Sequence, residues 1–159
     1  KIEHYSSALL ESCLLSRVAR FDFSVKRIVR SRFKPYCVDT GIRNRAAFAF
    51  SGDQGWLAEN VALNHLRGLH EEIYYGANGA EVDFVVKEGM RVTKRIQVWY
   101  ADAADDALPA RETLAFEQPG RDRETVERLI LTNDLERVMK LAGREVRCVP
   151  LVMYLLDLK

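Results

Sequence analysis

Oxygen-bearing side chains at Glu59, Asp83 and Gln97 are the residues of this sequence best suited to chemistry. Carboxylate and amide oxygens are the hard donors that Mg²⁺ or Mn²⁺ takes. An ion held between them would orient a water and offset charge on a scissile phosphate. Glu59 is followed at +3, +4 and +7 by Ala62, Leu63 and Leu66, so on a helix it points toward the apolar side. In Glu81-Val82-Asp83-Phe84-Val85-Val86, strand alternation puts Val82, Phe84 and Val86 on one face and Glu81 and Asp83 on the other. Gln97 lies in the next extended run, on the face opposite Ile96, Val98 and Tyr100. Neighbouring strands are about 5 Å apart, so Asp83 and Gln97 can approach. Each of the three also has an ordinary structural role open to it. A first-turn carboxylate such as Glu59 is favoured by the helix dipole, Asp83 with Glu81 can form a solvated strand face, and Gln97 can be a cross-strand hydrogen-bonding residue. On spacing alone these ordinary roles outweigh the metal site.

A second group of candidates is basic. Arg17, Arg20, Lys26, Arg27, Arg30, Arg32 and Lys34 fall within a short stretch, interleaved with Phe21, Phe23, Phe33 and Tyr36. The chain carries a net charge of +1, yet residues 1–50 hold ten Lys/Arg against four Asp/Glu, a net of +6, and the remainder is −5. The N-terminal third is therefore the candidate surface for an anionic partner such as DNA. A solvated basic face, or one docked on an acidic neighbouring domain, is the alternative.

The elements that must position these residues can be read along the chain. Residues 1–14 have helical spacing, with Ile2, Tyr5, Leu9 and Cys13 on one face. Extended runs follow at 14–21 and 34–38, with the basic stretch between them. A helix followed by a basic two-stranded ribbon is what the end of a winged helix-turn-helix would leave. Asp39-Thr40-Gly41-Ile42-Arg43 suits a turn, and a domain boundary falls near residue 34. The clearest helix spans 55–69, with Asp53 as its candidate cap. Strands are expected at 72–75, 81–86 and 92–100, with turns at 76–79 and Glu88-Gly89. An acidic loop follows at 101–107, then a helix at 108–118, a buried strand at 129–132, a short helix from Leu135 to Leu141 ending at Gly143, a strand at 146–149, and an apolar helix at 151–158. Helix, three strands, helix and strand make an α/β mixed sheet flanked by helices.

Length and composition bound the rest. The 159 residues are enough for one full domain plus a small appendage, and at 48% hydrophobic and 30% charged they are ordinary for a globular protein. No apolar run approaches about 18 residues, so no membrane span is expected. The start, Lys1-Ile2-Glu3-His4-Tyr5, carries neither an initiator Met nor a signal-peptide core, and a segment of a longer cytoplasmic chain is expected. Cys13, Cys37 and Cys148 are far apart with no C-x-x-C pair and sit among apolar neighbours, which argues against a zinc knuckle and for buried free thiols. His4, His65 and His70 have no motif context for a catalytic triad.

Five segments together resemble a known family. Lys34-Pro35-Tyr36-Cys37-Val38-Asp39-Thr40-Gly41-Ile42, Gly55-Trp56-Leu57-Ala58-Glu59-Asn60 and Gly79-Ala80-Glu81-Val82-Asp83-Phe84-Val85 are the first three. Ile96-Gln97-Val98-Trp99-Tyr100 followed by Arg111-Glu112, and Val149-Pro150-Leu151 through Leu155-Leu156, complete the set in the same order. They resemble the C-terminal domain of unknown function of bacterial and archaeal AAA-type ATPases, whose fold is similar to PD-(D/E)XK nucleases. His4-Tyr5 to Phe21 resembles the end of the winged-helix segment that precedes it. The resemblance implies a restriction-endonuclease-like domain over 34–159, with a partial winged-helix remnant over 1–33. It implies that Glu59 is the helix acid, Asp83 the metal-binding Asp, and Gln97 the Glu/Gln of the E-x-K element. The lysine two residues on would stabilise the charged transition state, but that position is Trp99, whose indole carries no positive charge. Lys94, Lys87 and Arg95 are candidates to replace it. No G-x-x-x-x-G-K-[ST] loop is present, so ATP would belong to an N-terminal ATPase module, which would also be the chief partner.

Three functions follow as expectations: a nuclease-fold accessory domain that binds nucleic acid or regulates the ATPase without cutting, an active Mg²⁺- or Mn²⁺-dependent nuclease with a relocated lysine, or an assembly domain docking through its last apolar helix. The oligomeric state is left open.

Overall fold

The computed structural model describes residues 2–46, 54–76, 81–101, 108–117 and 126–157. Among them, eight strands form one mixed sheet, and helices pack on both of its faces. The elements run α1 (Ile2–Glu11), β1 (Leu15–Arg20), α2 (Val25–Arg30), β2 (Phe33–Cys37), α3 (Thr40–Ala46), α4 (Gln54–Leu69), β3 (Glu72–Gly76), β4 (Val82–Glu88) and β5 (Arg91–Trp99). They continue α5 (Ala110–Glu117), β6 (Glu127–Thr132), β7 (Arg137–Leu141), β8 (Arg144–Pro150) and α6 (Leu151–Leu155). Strand order across the sheet is β2-β1-β3-β4-β5-β6-β8-β7. The β1–β3, β5–β6 and β6–β8 pairs are parallel, and the other pairs are antiparallel.

The sheet is coated on both faces because its central strands are apolar at successive positions. Leu129 and Leu131 of β6 pack with Ala62, Leu63 and Leu66 of α4 and Leu151 of α6. Ile130, between them, packs on the opposite side with Trp99, Cys148 and Phe116 of α5. This is the pattern of a strand buried on both faces. The α4 cluster is the larger, and it takes in Val18, Tyr36, Phe84, Val86, Ile96 and Val98. It is this layer that brings the N-terminal ribbon, α4 and β4 against one another. No helix of the described residues is long and apolar enough to cross a membrane.

Several expectations need correcting. The segment from Leu135 to Leu141 is not a helix but the edge strand β7, paired antiparallel to β8. Its apolar residues at 135, 138, 139 and 141 mimic helical spacing. Ala142 and Gly143, both at positive φ (50° and 76°), instead make the tight turn that folds β7 back onto β8. Asp39 does not begin a simple turn: its Oδ1 accepts from the Gly41 and Ile42 N–H groups at 2.6 and 3.1 Å and caps α3. The basic stretch is itself the short helix α2, set between two strands that do form the expected antiparallel ribbon. That ribbon does not stand apart, because β1 is hydrogen-bonded to β3 and continues the main sheet across residue 34. Asp53, the 77–79 part of the first turn, and residues 102–107 lie outside the described residues.

Candidate functional site

Alternation fails in β4, and the failure creates the site. Tyr74 pairs with Val85 and Gly76 with Val82, so three steps along β4 match two along β3. The extra residue is a β-bulge at Asp83–Phe84. Val82 and Val85 consequently face the same way, toward Phe21, while Phe84 and Val86 face α4. A Cβ on Gly76 would lie 3.3 Å from the side chains of both valines, so this close approach of β3 to the bulge favours glycine. The expectation that Val82 shares a face with Phe84 is thus overturned. Asp83, freed from the alternation, turns its carboxylate to the α4 side.

The ladder groups that the bulge disturbs are taken up by side chains. The Val98 N–H donates to Asp83 Oδ2 at 2.9 Å, and the Asp83 N–H donates to Gln97 Oε1 at 3.2 Å. Gln97 and Trp99 both face α5. Gln97 Nε2 donates to Glu112 Oε2 at 2.8 Å, and Arg111 Nε holds the other Glu112 oxygen at 2.7 Å. Glu112 is 6% exposed. Both ends of the Gln97 amide are therefore committed.

On the α4 side, the partner of Asp83 is a lysine from the far edge of the sheet. Lys34 of β2 shares a face with Tyr36 and, across the ribbon, with Val18. Its Nζ lies 3.8 Å from Asp83 Oδ1 and 3.7 Å from Glu59 Oε1, pairs closely with Glu81, and sits 5.4 Å from the centre of the Tyr75 ring. The Tyr36 hydroxyl donates to Glu59 Oε1 in a short hydrogen bond. Asn60, next to Glu59 on α4, fixes the strand that carries both. It is fully buried, its Nδ2 donates to the Cys37 carbonyl at 2.6 Å, and its Oδ1 accepts from the Cys37 N–H at 2.8 Å. Glu59 and Asn60 thus act as a unit: one binds the Lys34 and Tyr36 side chains of β2, the other its backbone.

The electrostatics follow from this crowding. Burial first, then the charge of Glu59, pushes the Asp83 carboxyl up to about 7; the Val98 N–H and Lys34 pull the other way, and Glu112 adds to the rise. Burial works against the Lys34 ammonium. The hydrogen bond that Lys34 donates to Glu81, and the charges of Glu59, Asp83 and Glu81, outweigh it and hold the lysine above its ordinary value. Burial, and then Glu59, raises the Tyr36 hydroxyl strongly, so it is a donor at every ordinary pH.

Glu59 and Asp83 are therefore brought together, and Gln97 is attached to Asp83 through the backbone while its side chain serves α5. As arranged, the set does not fit a divalent ion. The ammonium of Lys34 lies between the carboxylates that would share the ion, and the Gln97 oxygen already accepts a hydrogen bond. Among the described residues, no group of three His, Cys, Asp or Glu side chains could hold a metal.

The three expected stand-ins for the lysine are placed elsewhere. Lys87 pairs with Glu72 at 2.6 Å, Lys94 with Glu127 at 2.5 Å, and Arg95 lies across from Val85. Trp99 is 8% exposed, packed with Phe116 and Ile130. Lys34, Tyr36, Asn60 and Glu112 were missing from the candidate site. The one signal was in plain view, since Lys34 and Tyr36 alternate on one strand face and so point to the same place. Of the expected nucleic-acid-binding residues, Lys34 is turned inward, while Arg17, Arg20, Lys26, Arg27, Arg30 and Arg32 are exposed on the ribbon and α2. No protein-family model, no curated protein and no solved structure matches the chain.

Proposed function

We propose that the chain is a nuclease-like accessory domain of an AAA-type ATPase, holding nucleic acid without cutting it. The observation that carries this is the position of Lys34. Its ammonium neutralises the very carboxylates that a cutting site would offer to a metal ion, within 4 Å of both Glu59 and Asp83. The site is thereby self-satisfied. Trp99 is buried in packing rather than aimed at a substrate. The exposed cations of β1 and α2 supply an electrostatic footprint for phosphates. Mg²⁺ or Mn²⁺ has no step in this reading, and ATP belongs to the ATPase module.

The test is affinity for labelled DNA and RNA as a function of salt. A log–log slope of several units, with binding strongest at low salt, is expected. Absence of binding at low salt would sink the proposal and leave an assembly role.

The same lysine supports a second reading. A cation beside Asp83 can do what the motif lysine does, stabilising charge at a reacting phosphate. In that case an ion displaces Lys34 from Glu59, and the chain cleaves. Mn²⁺-dependent cleavage abolished by Asp83→Ala would establish it.

A further inference from the structure

The basic segment contains four aromatic rings, and the structure divides them. Phe21 and Tyr36 are core residues, at 4% and 1% exposure, whereas Phe23 is 61% exposed and Phe33 is 43% exposed. Phe23 is held against Phe21 at 5.1 Å between ring centres, with the rings at 75°, so it is oriented without being covered. Phe33 lies across from Ala19, whose methyl group is too small to cover it fully. In sequence the two rings bracket α2, which carries Lys26, Arg27 and Arg30, and Arg32 adjoins Phe33. Two exposed rings in a segment rich in cations offer stacking faces beside charges that suit phosphates, the combination an anionic ligand with its own π-faces can use.

The geometry also limits what that something is. Another strand is excluded at the β2 edge, because Pro35 lies in the middle of the strand and has no N–H to donate. A bilayer surface fits poorly, since the cations are spread over β1, α2 and the turn to β2 rather than along one helix face, and α2 has six residues. Paired bases keep their π-faces covered within a duplex. Unpaired bases present them, and phosphates accompany each one.

We propose that the β1–α2–β2 ribbon binds single-stranded nucleic acid, with unpaired bases stacking on Phe23 and Phe33 and the neighbouring cations holding the phosphates. This rests on the nucleic-acid reading above and specifies its ligand. Arginine beside a stacked base adds a second planar contact.

The test uses the 159-residue chain and fluorescence anisotropy with three probes: a single-stranded oligonucleotide, its duplex, and an abasic strand of equal length. The expected result is that the single strand binds more tightly than the abasic one. Phe23→Leu and Phe33→Leu each weaken single-strand binding by about ten-fold and leave the abasic and duplex affinities unchanged. Leucine keeps the apolar packing and removes the π-face, so both variants fold. Equal losses on the abasic probe, or no loss on any, overturn stacking while leaving phosphate binding intact. No binding to any of the three at low salt overturns the nucleic-acid reading itself. Binding to anionic phospholipid vesicles with none to oligonucleotides overturns both.

Discussion

Lys34 and Arg32 stand two residues apart, yet they belong to different kinds of region. Arg32 and the cations of β1 and α2 are exposed, and one of them, Arg27, pairs with Asp22 at 2.9 Å on the surface. Lys34 is turned into a pocket of carboxylates, tyrosine hydroxyl and ring, where Glu59 and Asp83 are largely buried and Glu81 lies at the exposed rim. The cause is the strand alternation of β2, which gives Lys34 and Tyr36 the α4 face and leaves Phe33 and Pro35 on the other. The difference teaches that charge in sequence is not charge on offer. The ribbon's outer cations lie on the surface, whereas Lys34 is held among its carboxylate partners.

The sharpest way to break this division is to place a lysine two residues beyond Gln97, on the other side of Asp83. Trp99→Lys would put a lysine two residues after Gln97, but Trp99 packs with Phe116 and Ile130. The loss is expected to be about 3–5 kcal/mol by urea unfolding, with no cleavage gained. A stable variant that cuts DNA would show that position 99, not 34, is where the site wants its cation.

Removing the inner cation comes next. Lys34→Met leaves Glu59, Glu81 and Asp83 facing one another, and a loss of about 2 kcal/mol is expected. That is below the cost of breaking a fully buried pair, because Lys34 keeps some solvent contact. Adding Asp83→Asn should recover about 1 kcal/mol of it, measured as a double-mutant cycle. Strict additivity would mean that the two residues do not interact.

A pH titration of stability sharpens the same point. The Asp83 carboxyl titrates at about 7 in the folded chain against 3.8 ordinarily, so the native state binds more protons between those values. Its contribution to stability is therefore present at low pH and is lost as pH rises from about 4 to about 7. Asp83→Asn should flatten that part of the profile. An unchanged slope would remove Asp83 as its source.

The smallest effect belongs to the outer region. Arg30→Ala should change stability by no more than about 0.5 kcal/mol while lowering the salt slope of nucleic-acid binding by about 1. A large stability loss there would erase the distinction between the two regions.

Much of the sheet was legible in the sequence because its strands are long apolar runs separated by clear breaks, as at 82–86 and 129–132. Glu59 and Asp83 could be found because each combines an acidic group with apolar neighbours at a definite period. What sequence did not disclose was the bulge. One extra residue in β4 reverses the side on which Asp83 emerges, and nothing in Val82-Asp83-Phe84 signals it. Gly76 acquires meaning only once β3 is seen to press on Val82 and Val85. Lys34 was hidden for another reason. It lies in a run of cations and looks like one of them, and its partners are 25, 47 and 49 positions away. The strand at 137–141 was hidden by coincidence, its apolar residues fitting both periods until the Ala142–Gly143 turn decides.

The most direct test of a self-satisfied site is to incubate the chain with labelled single-stranded and duplex oligonucleotides and Mn²⁺, beside Asp83→Ala, and to read bound and cleaved fractions together. Oligonucleotide bound and intact with both proteins is the expected result. Cleavage by the parent chain that disappears with Asp83→Ala would contradict it, and would mean that a metal ion displaces Lys34 from its carboxylates.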